Sequence, residues 1–163
     1  MKKETIPYFE DEESKPKQGS PVVERATINA ILWDPSADTF LCLDWQKFGW
    51  KTFIIGGIDE GEEAARAAAR EIVEETGYSD VTFVAELGKL RSVYFAAHKN
   101  ENRIAHTTGL LFKLKSRAQA ARENAAALPH TFQWVPRSEV GEFITLSSQK
   151  YLWNKAQAHC RNC

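Results

Sequence analysis

The stretch Gly56–Tyr78, GGIDEGEEAARAAAREIVEETGY, constrains this chain more than any other part of it. Between Glu62 and Thr76 neither Gly nor Pro interrupts a run of Ala, Glu and Arg, all strong helix formers, and Gly77 follows as a natural stop. The spacing predicts a helix over Glu62–Thr76. Ala65, Ala68, Ala69, Ile72 and Thr76 fall on one arc of it, with Glu63, Arg66, Arg70 and Glu74 on the other side. Glu71, Glu74 and Glu75 stand at i, i+3 and i+4, within an arc of about 100°. Like charges that close repel by a few tenths of a kcal/mol per pair, roughly, unless a cation sits among them. Carboxylate oxygens, with a backbone carbonyl or waters, suit Mg²⁺ or Mn²⁺, and such sites commonly also hold substrate phosphates. Arg70 lies four residues before Glu74 and can fix a carboxylate rotamer. Gly56 and Gly57 let the backbone come close to a metal or a phosphate. The plainer account, solvated charges on a surface helix, suits a generic Glu-rich helix. It does not explain the spacing of the whole stretch.

From Gly56 there are five residues before Glu62 and seven before Arg70. Then come Glu71, the aliphatic Ile72, one residue, Glu74-Glu75, one residue, Gly77 and Tyr78. This resembles the Nudix box, G-x5-E-x7-R-E-U-x-E-E-x-G-U with U a bulky apolar residue, and every fixed position is matched. The flanking pattern extends the resemblance over roughly residues 22–158. Ile54-Ile55 departs from it, because relatives often carry Pro-Gly there; the loop's stiffness should change more than the ligands. The resemblance implies an α+β fold, a mixed β-sheet sandwiched between α-helices. It also implies hydrolysis, with Mg²⁺ or Mn²⁺, of a nucleoside diphosphate linked to another group X. By that resemblance Glu71, Glu74 and Glu75 would bind the metal, joined by a backbone carbonyl at or next to Gly56. Arg70 and Glu62 would orient the carboxylates. The attacking water needs a base, either a box glutamate or an acid from a later loop.

The rest of the chain fits one domain, with residues 1–20 expected to be a flexible tail and residues 21–163 the folded unit. Among the first 20 residues the charges dominate, with few apolar side chains after Phe9. Strands are expected at Val22–Trp33, Thr39–Trp45, Trp50–Ile55, Val81–Leu87, Leu90–Ala96, Thr107–Leu114 and Phe132–Val135. Helices are expected at Glu139–Phe143 and Ser148–Ala158. The net charge of −1 gives no global field that would point to nucleic acid or an anionic membrane. No apolar run approaches the roughly 20 residues of a membrane span, and the polar start lacks a secretory signal's apolar region. A soluble cytoplasmic protein with a small nucleotide as its partner is the expectation, with a homodimer left open.

Several residues outside the box are candidates, each also explained by a plainer role. Glu101, Glu123 and His130 are candidates for a later catalytic or metal group, against ordinary structural or solvated roles. Trp45, Phe48, Trp50 and Tyr94 offer aromatic faces for a base, against core packing. Tyr94, 16 residues beyond Tyr78, resembles a tyrosine of dinucleoside polyphosphate hydrolases, which tilts the substrate expectation that way. Ser92 and Val93 stand where ADP-ribose hydrolases tend to carry a proline. Lys89, Arg91 and Arg103 could reach phosphates, against solvated surface charge. His159, Cys160 and Cys163 lack the four-ligand pattern of a structural zinc, Cys42 lying in an expected core strand. The alternative function is a nucleotide-binding or regulatory Nudix domain with little turnover, against which the intact set of glutamates argues. Isoprenyl diphosphate isomerisation lacks its extra Cys and Glu pairing.

Overall fold

The structure, a computed structural model, describes residues 5–122 and 127–160. In chain order it contains β1 (Tyr8–Phe9), a 3₁₀ turn (Glu12–Ser14), β2 (Val22–Asp34), β3 (Thr39–Trp45), β4 (Trp50–Thr52) and β5 (Ile54–Gly57). Then follow α1 (Ala64–Thr76), β6 (Val81–Ala96), β7 (Glu101–Leu114), β8 (Thr131–Pro136), α2 (Arg137–Phe143) and α3 (Ser147–Cys160). The strands form one mixed sheet in the order β1-β6-β7-β2-β3-β4, with β5 paired to β2 and β8 to β3.

Strand β2 organises the molecule. It runs parallel to β7 along almost its whole length, and its other edge pairs with β5 and briefly with β3. Successive strand residues point to opposite faces, so a strand buried on both faces is apolar along most of its length. Residues 27–34 of β2 are all buried. Ile28, Ala30 and Leu32 join the core built with Ala67, Ala68 and Ile72 of α1. Ile31 and Trp33 join a second core with Val140 of α2 and Leu152, Trp153 and Ala156 of α3. Helices therefore cover both faces of the sheet, and the fold is α+β as expected.

Besides the division of the expected strand Trp50–Ile55 into β4, paired to β3, and β5, paired to β2, four differences from the expected elements stand out. The helix begins at Ala64, because Glu62 is held in the preceding turn, its N–H donating to the Asp59 carbonyl at 3.0 Å. The strands expected at Val81–Leu87 and Leu90–Ala96 are one strand, which absorbs register shifts beside Val84 and Leu87. Gly88, at φ 106°, interrupts the hydrophobic pattern without ending the ladder. Strand β7 starts at Glu101 rather than Thr107, since its polar first half is held between β6 and the first half of β2 by ladder pairing rather than by an apolar pattern.

The fourth difference concerns residues 5–20, the expected tail. Tyr8 and Phe9 pair in parallel with Arg91 and Ser92, and the Phe9 ring lies 5.4 Å from that of Tyr151. The Asp11 carboxylate accepts the Ser147 N–H at 3.2 Å, capping α3. Asn102 binds Lys17 through both main-chain groups. The docking uses a few separated side chains, too sparse to give a hydrophobic period.

Candidate active site

Arg70 is the hub of the loop that joins β5 to α1. Its Nε and Nη2 donate to the two carboxylate oxygens of Glu62 at 3.0 and 2.9 Å. Nη2 also donates to the Gly57 carbonyl at 2.9 Å, while Nη1 donates to Glu71 Oε1 at 2.9 Å and Glu74 Oε2 at 3.3 Å. A planar guanidinium suits this division, because it presents its donors in a fixed fork. The bond from Arg70, reinforced by the Asp59 N–H, holds the Glu62 carboxyl down at about 2. Glu62 therefore stays ionised and ties the loop to the helix.

The three helix glutamates sit in different surroundings. Glu74 has a half-exposed side chain, whereas those of Glu71 and Glu75 are 13% and 9% exposed. The arc expected to be apolar thus also takes in Glu75. Burial, then the neighbouring Glu75 charge, raises the Glu71 carboxyl to about 7 despite Arg70. Burial also raises Glu75. Glu75 Oε1 lies 3.6 Å from His130 Nε2, and Glu75 Oε2 is buried with no hydrogen-bond partner in the protein. Gly56 packs directly on Glu71, and a Cβ there would overlap its carboxyl group. An unpartnered buried carboxylate oxygen beside a desolvated carboxylate fits a hard cation. Among the described residues no three such side chains converge into a complete cage. An ion on Glu71 and Glu75 would need further oxygens from water, phosphate or backbone, a mixture that Mg²⁺ commonly takes.

A cleft of about 200 Å³ opens from Gly56 and Gly57 along the α2–α3 side of the sheet. Arg25, Thr27 and Asn29 of β2 line it, with Arg103 and Thr107 of β7. Trp50 and Tyr94 meet edge-to-face in its wall, their centroids 5.9 Å apart. Phe9, Asp11 and Ser14 close another side.

The structure brings together Gly56, Glu62, Arg70, Glu71 and Glu74, sets Glu75 beside Glu71, and places Trp50 and Tyr94 in the adjoining cleft. It does not bring Arg91 there. Ser92, Val93 and Tyr94 line the cleft, while Arg91 lies over the Tyr8 ring at 5.5 Å. Lys89 is likewise exposed and outside the lining. Arg103 lines the cleft, and its Nε donates a 2.9 Å hydrogen bond to Glu101 Oε1. His130 is buried behind Trp45, with ring centroids 4.6 Å apart, and Phe48 packs on Trp50. Glu123 and Cys163 lie outside the described residues; Cys42 and Cys160 are buried in the α2–α3 core. Arg25, Asn29 and Asp11 were not anticipated. Only Asn29 carried a signal, a polar residue inside the apolar run Ile28–Leu32.

The NUDIX domain family model matches residues 23–156, most of the chain. The chain belongs to the Nudix family. As a Nudix hydrolase it acts on phosphorus-containing anhydrides. No curated protein sequence matches this Nudix chain. Solved structures share its fold. A C. elegans Ap4A hydrolase binary complex aligns with TM-score 0.65 at 18% identity, covering 85% of this chain and 99% of that one. The E. coli dihydroneopterin triphosphate pyrophosphohydrolase aligns at TM-score 0.60 and 16% identity, over 82% and 96%. The NUDIX domain of Shewanella oneidensis NrtR, complexed with ADP ribose, aligns at 0.57 and 16%, over 83% and 88%.

Proposed function

We propose that this Nudix hydrolase is a Mg²⁺- or Mn²⁺-dependent pyrophosphohydrolase that cleaves the diphosphate linkage of a nucleoside diphosphate joined to a group X. Glu75 carries the reading: it is a buried carboxylate whose Oε2 has no protein partner, one helical turn from the desolvated Glu71. Leaving such an oxygen unpaired is costly unless something binds it. Glu71, Glu74 and Glu75 would hold the metal, joined by a backbone carbonyl at or beside Gly56. The bound cation supplies charge neutralisation of the diphosphate and an activated water.

The chain's own residues do the rest. Arg70 and Glu62 keep the loop and the carboxylates in one arrangement, so little reorganisation is left for the reaction. Trp50 and Tyr94 offer ring surfaces to a base, and Arg25 and Arg103 offer positive charge to a phosphate chain. Glu101 is engaged by Arg103, which favours a box glutamate as the group that would take the proton of the attacking water. His130 faces Glu75 from behind, its Nε2 3.6 Å from Glu75 Oε1.

Dinucleoside polyphosphates come first among substrates, because Tyr94 lines the cleft and the aligned C. elegans protein is an Ap4A hydrolase. The test is a Mg²⁺ and Mn²⁺ screen of diadenosine polyphosphates, ADP-ribose, nucleotide sugars, NADH and nucleoside triphosphates, with products separated by chromatography. Metal-dependent cleavage should fall at least about 100-fold in Glu75→Gln, with the fold retained. Unchanged turnover in that variant refutes the metal-site assignment. Silence across the panel, in a folded chain that still binds nucleotide, supports a binding domain instead.

A further inference from the structure

Arg70 binds the carboxylates of Glu62, Glu71 and Glu74, but none of its hydrogen bonds goes to Glu75. Among the described residues, one side chain makes a polar contact with the Glu75 carboxylate. It is His130, whose Nε2 lies 3.6 Å from Glu75 Oε1. That separation is just beyond hydrogen-bond length and leaves no room for a water between the two. Both side chains are withdrawn from solvent, Glu75 at 9% and His130 at 2% exposed. The imidazole makes no other hydrogen bond or ion pair among the described residues.

Each partner is held in place from elsewhere. Glu75 stands in the last turn of α1, and Arg122 Nη1 donates to its carbonyl at 2.7 Å. Its main chain is pinned, so only the side-chain torsions remain to move the carboxylate. His130 directly precedes β8, whose first residue, Thr131, pairs with Asp44. The imidazole meets the Trp45 ring edge-on at 4.6 Å, and Trp45 Nε1 in turn donates to Thr52 Oγ1 at 2.9 Å. Burying an imidazole is costly unless its polar atoms are used. Packing on Trp45 needs only a flat ring, which a phenylalanine would supply. The nitrogen beside Glu75 is the part that packing leaves unexplained.

We propose that His130 is the positioning residue of Glu75, fixing the rotamer in which that carboxylate stands beside Glu71 to share a divalent cation. The proposal rests on the metal-site reading above and adds to that site a residue from outside the helix and its loop. Arg70 and His130 then divide the work. The guanidinium sets Glu62, Glu71 and Glu74 from the loop, and the imidazole sets Glu75 from the start of β8. In this role His130 needs no contact with the ion or the substrate. It restricts one ligand beforehand, so that less freedom is lost when the ion binds.

The test reads the binding of Mn²⁺ alone to the full chain, by loss of the free-ion electron paramagnetic resonance signal, so turnover plays no part. His130→Gln sets an amide N–H near the place of Nε2, whereas His130→Asn, with its shorter side chain, withdraws it. His130→Phe keeps a flat ring against Trp45 and removes both nitrogens. Mn²⁺ affinity should fall about tenfold or more in His130→Asn and His130→Phe, the usual result of losing the partner behind a metal ligand. His130→Gln should bind Mn²⁺ close to the wild-type affinity. In the same two weakened chains the Mg²⁺ concentration for half-maximal hydrolysis should rise, with the substrate KM at saturating Mg²⁺ unchanged. A histidine that only fills space predicts lowered melting temperatures in EDTA for both amide variants and no difference between them in Mn²⁺ affinity. That result overturns the proposal. Either His130→Asn or His130→Phe suffices against His130→Gln if the other does not fold. Glu75→Gln separates this proposal from the reading beneath it. If Glu75→Gln loses Mn²⁺ while His130→Asn and His130→Phe keep it, the metal site stands and the role of His130 is refuted. If Glu75→Gln binds Mn²⁺ as the wild type does, the metal-site reading falls and the proposal with it.

Discussion

A carboxylate withdrawn from water holds its proton more tightly, and Glu71 does so up to about 7 because burial and the Glu75 charge outweigh Arg70. The sign of the consequence follows from linkage. Between the ordinary carboxylate value and about 7, the folded chain binds a proton that the unfolded chain has released. Glu71 thus contributes stability that is complete below the ordinary value and is lost as pH rises through about 7. Glu75, also raised, acts in the same direction. In EDTA, the melting temperature of the wild-type chain should fall more between about pH 5 and pH 8 than that of Glu71→Gln. Parallel curves for the two chains would place Glu71 among ordinary carboxylates. The close fit at Gly56 gives a second residue-scale outcome. Gly56→Ala must displace the Glu71 carboxyl, so hydrolysis should drop about 100-fold for a shift of order 1 Å while the circular dichroism spectrum stays native.

Helix α1 is fixed at its end by a feature written in the sequence and used in three dimensions. Gly77 adopts φ 81°, and its N–H donates to the Val73 carbonyl at 2.8 Å, closing the last turn. An L-residue there is strained by about 1–2 kcal/mol. Its Cβ would also stand 2.6 Å from the Ala120 carbonyl oxygen. Gly77→Ala should therefore lower the urea-unfolding free energy by at least about 1 kcal/mol. A loss near zero would mean that the Gln119–Ala120 segment simply moves away. Helix α1 itself was legible because Ala, Arg and Glu at fixed spacing leave few other structures open. The single strand β6 was not legible, because Gly88 breaks the hydrophobic period while ladder bonds on both sides continue.

Across the whole molecule, contacts between distant segments finish what the elements begin. Asp11 caps α3 from 136 residues away, where the helix's own sequence supplies no acceptor before Ser147 in the contacts observed. Asp11→Ala should cost about 1 kcal/mol in chemical denaturation, the usual worth of a capping side chain, and should loosen the wall that Phe9 and Ser14 share with it. An unchanged midpoint would show that the N-terminal segment docks without supporting the helix. The sequence by itself determined the box, its helix and the oxygen-rich chemistry of Glu71, Glu74 and Glu75, because those depend on spacing within 23 residues. It also determined the class of fold, since strands and helices mixed without regular alternation read as α+β, and the resemblance carried by the box implied a sheet between helices. Only the tertiary structure decided which glutamates lose their water, that Arg91 turns from the cleft, and that Asn29 and the N-terminal segment turn toward it. Burial and direction arise from partners distant in sequence, as with Glu75 and His130 or Thr27 and Thr107, and local spacing carries no record of which partners those will be.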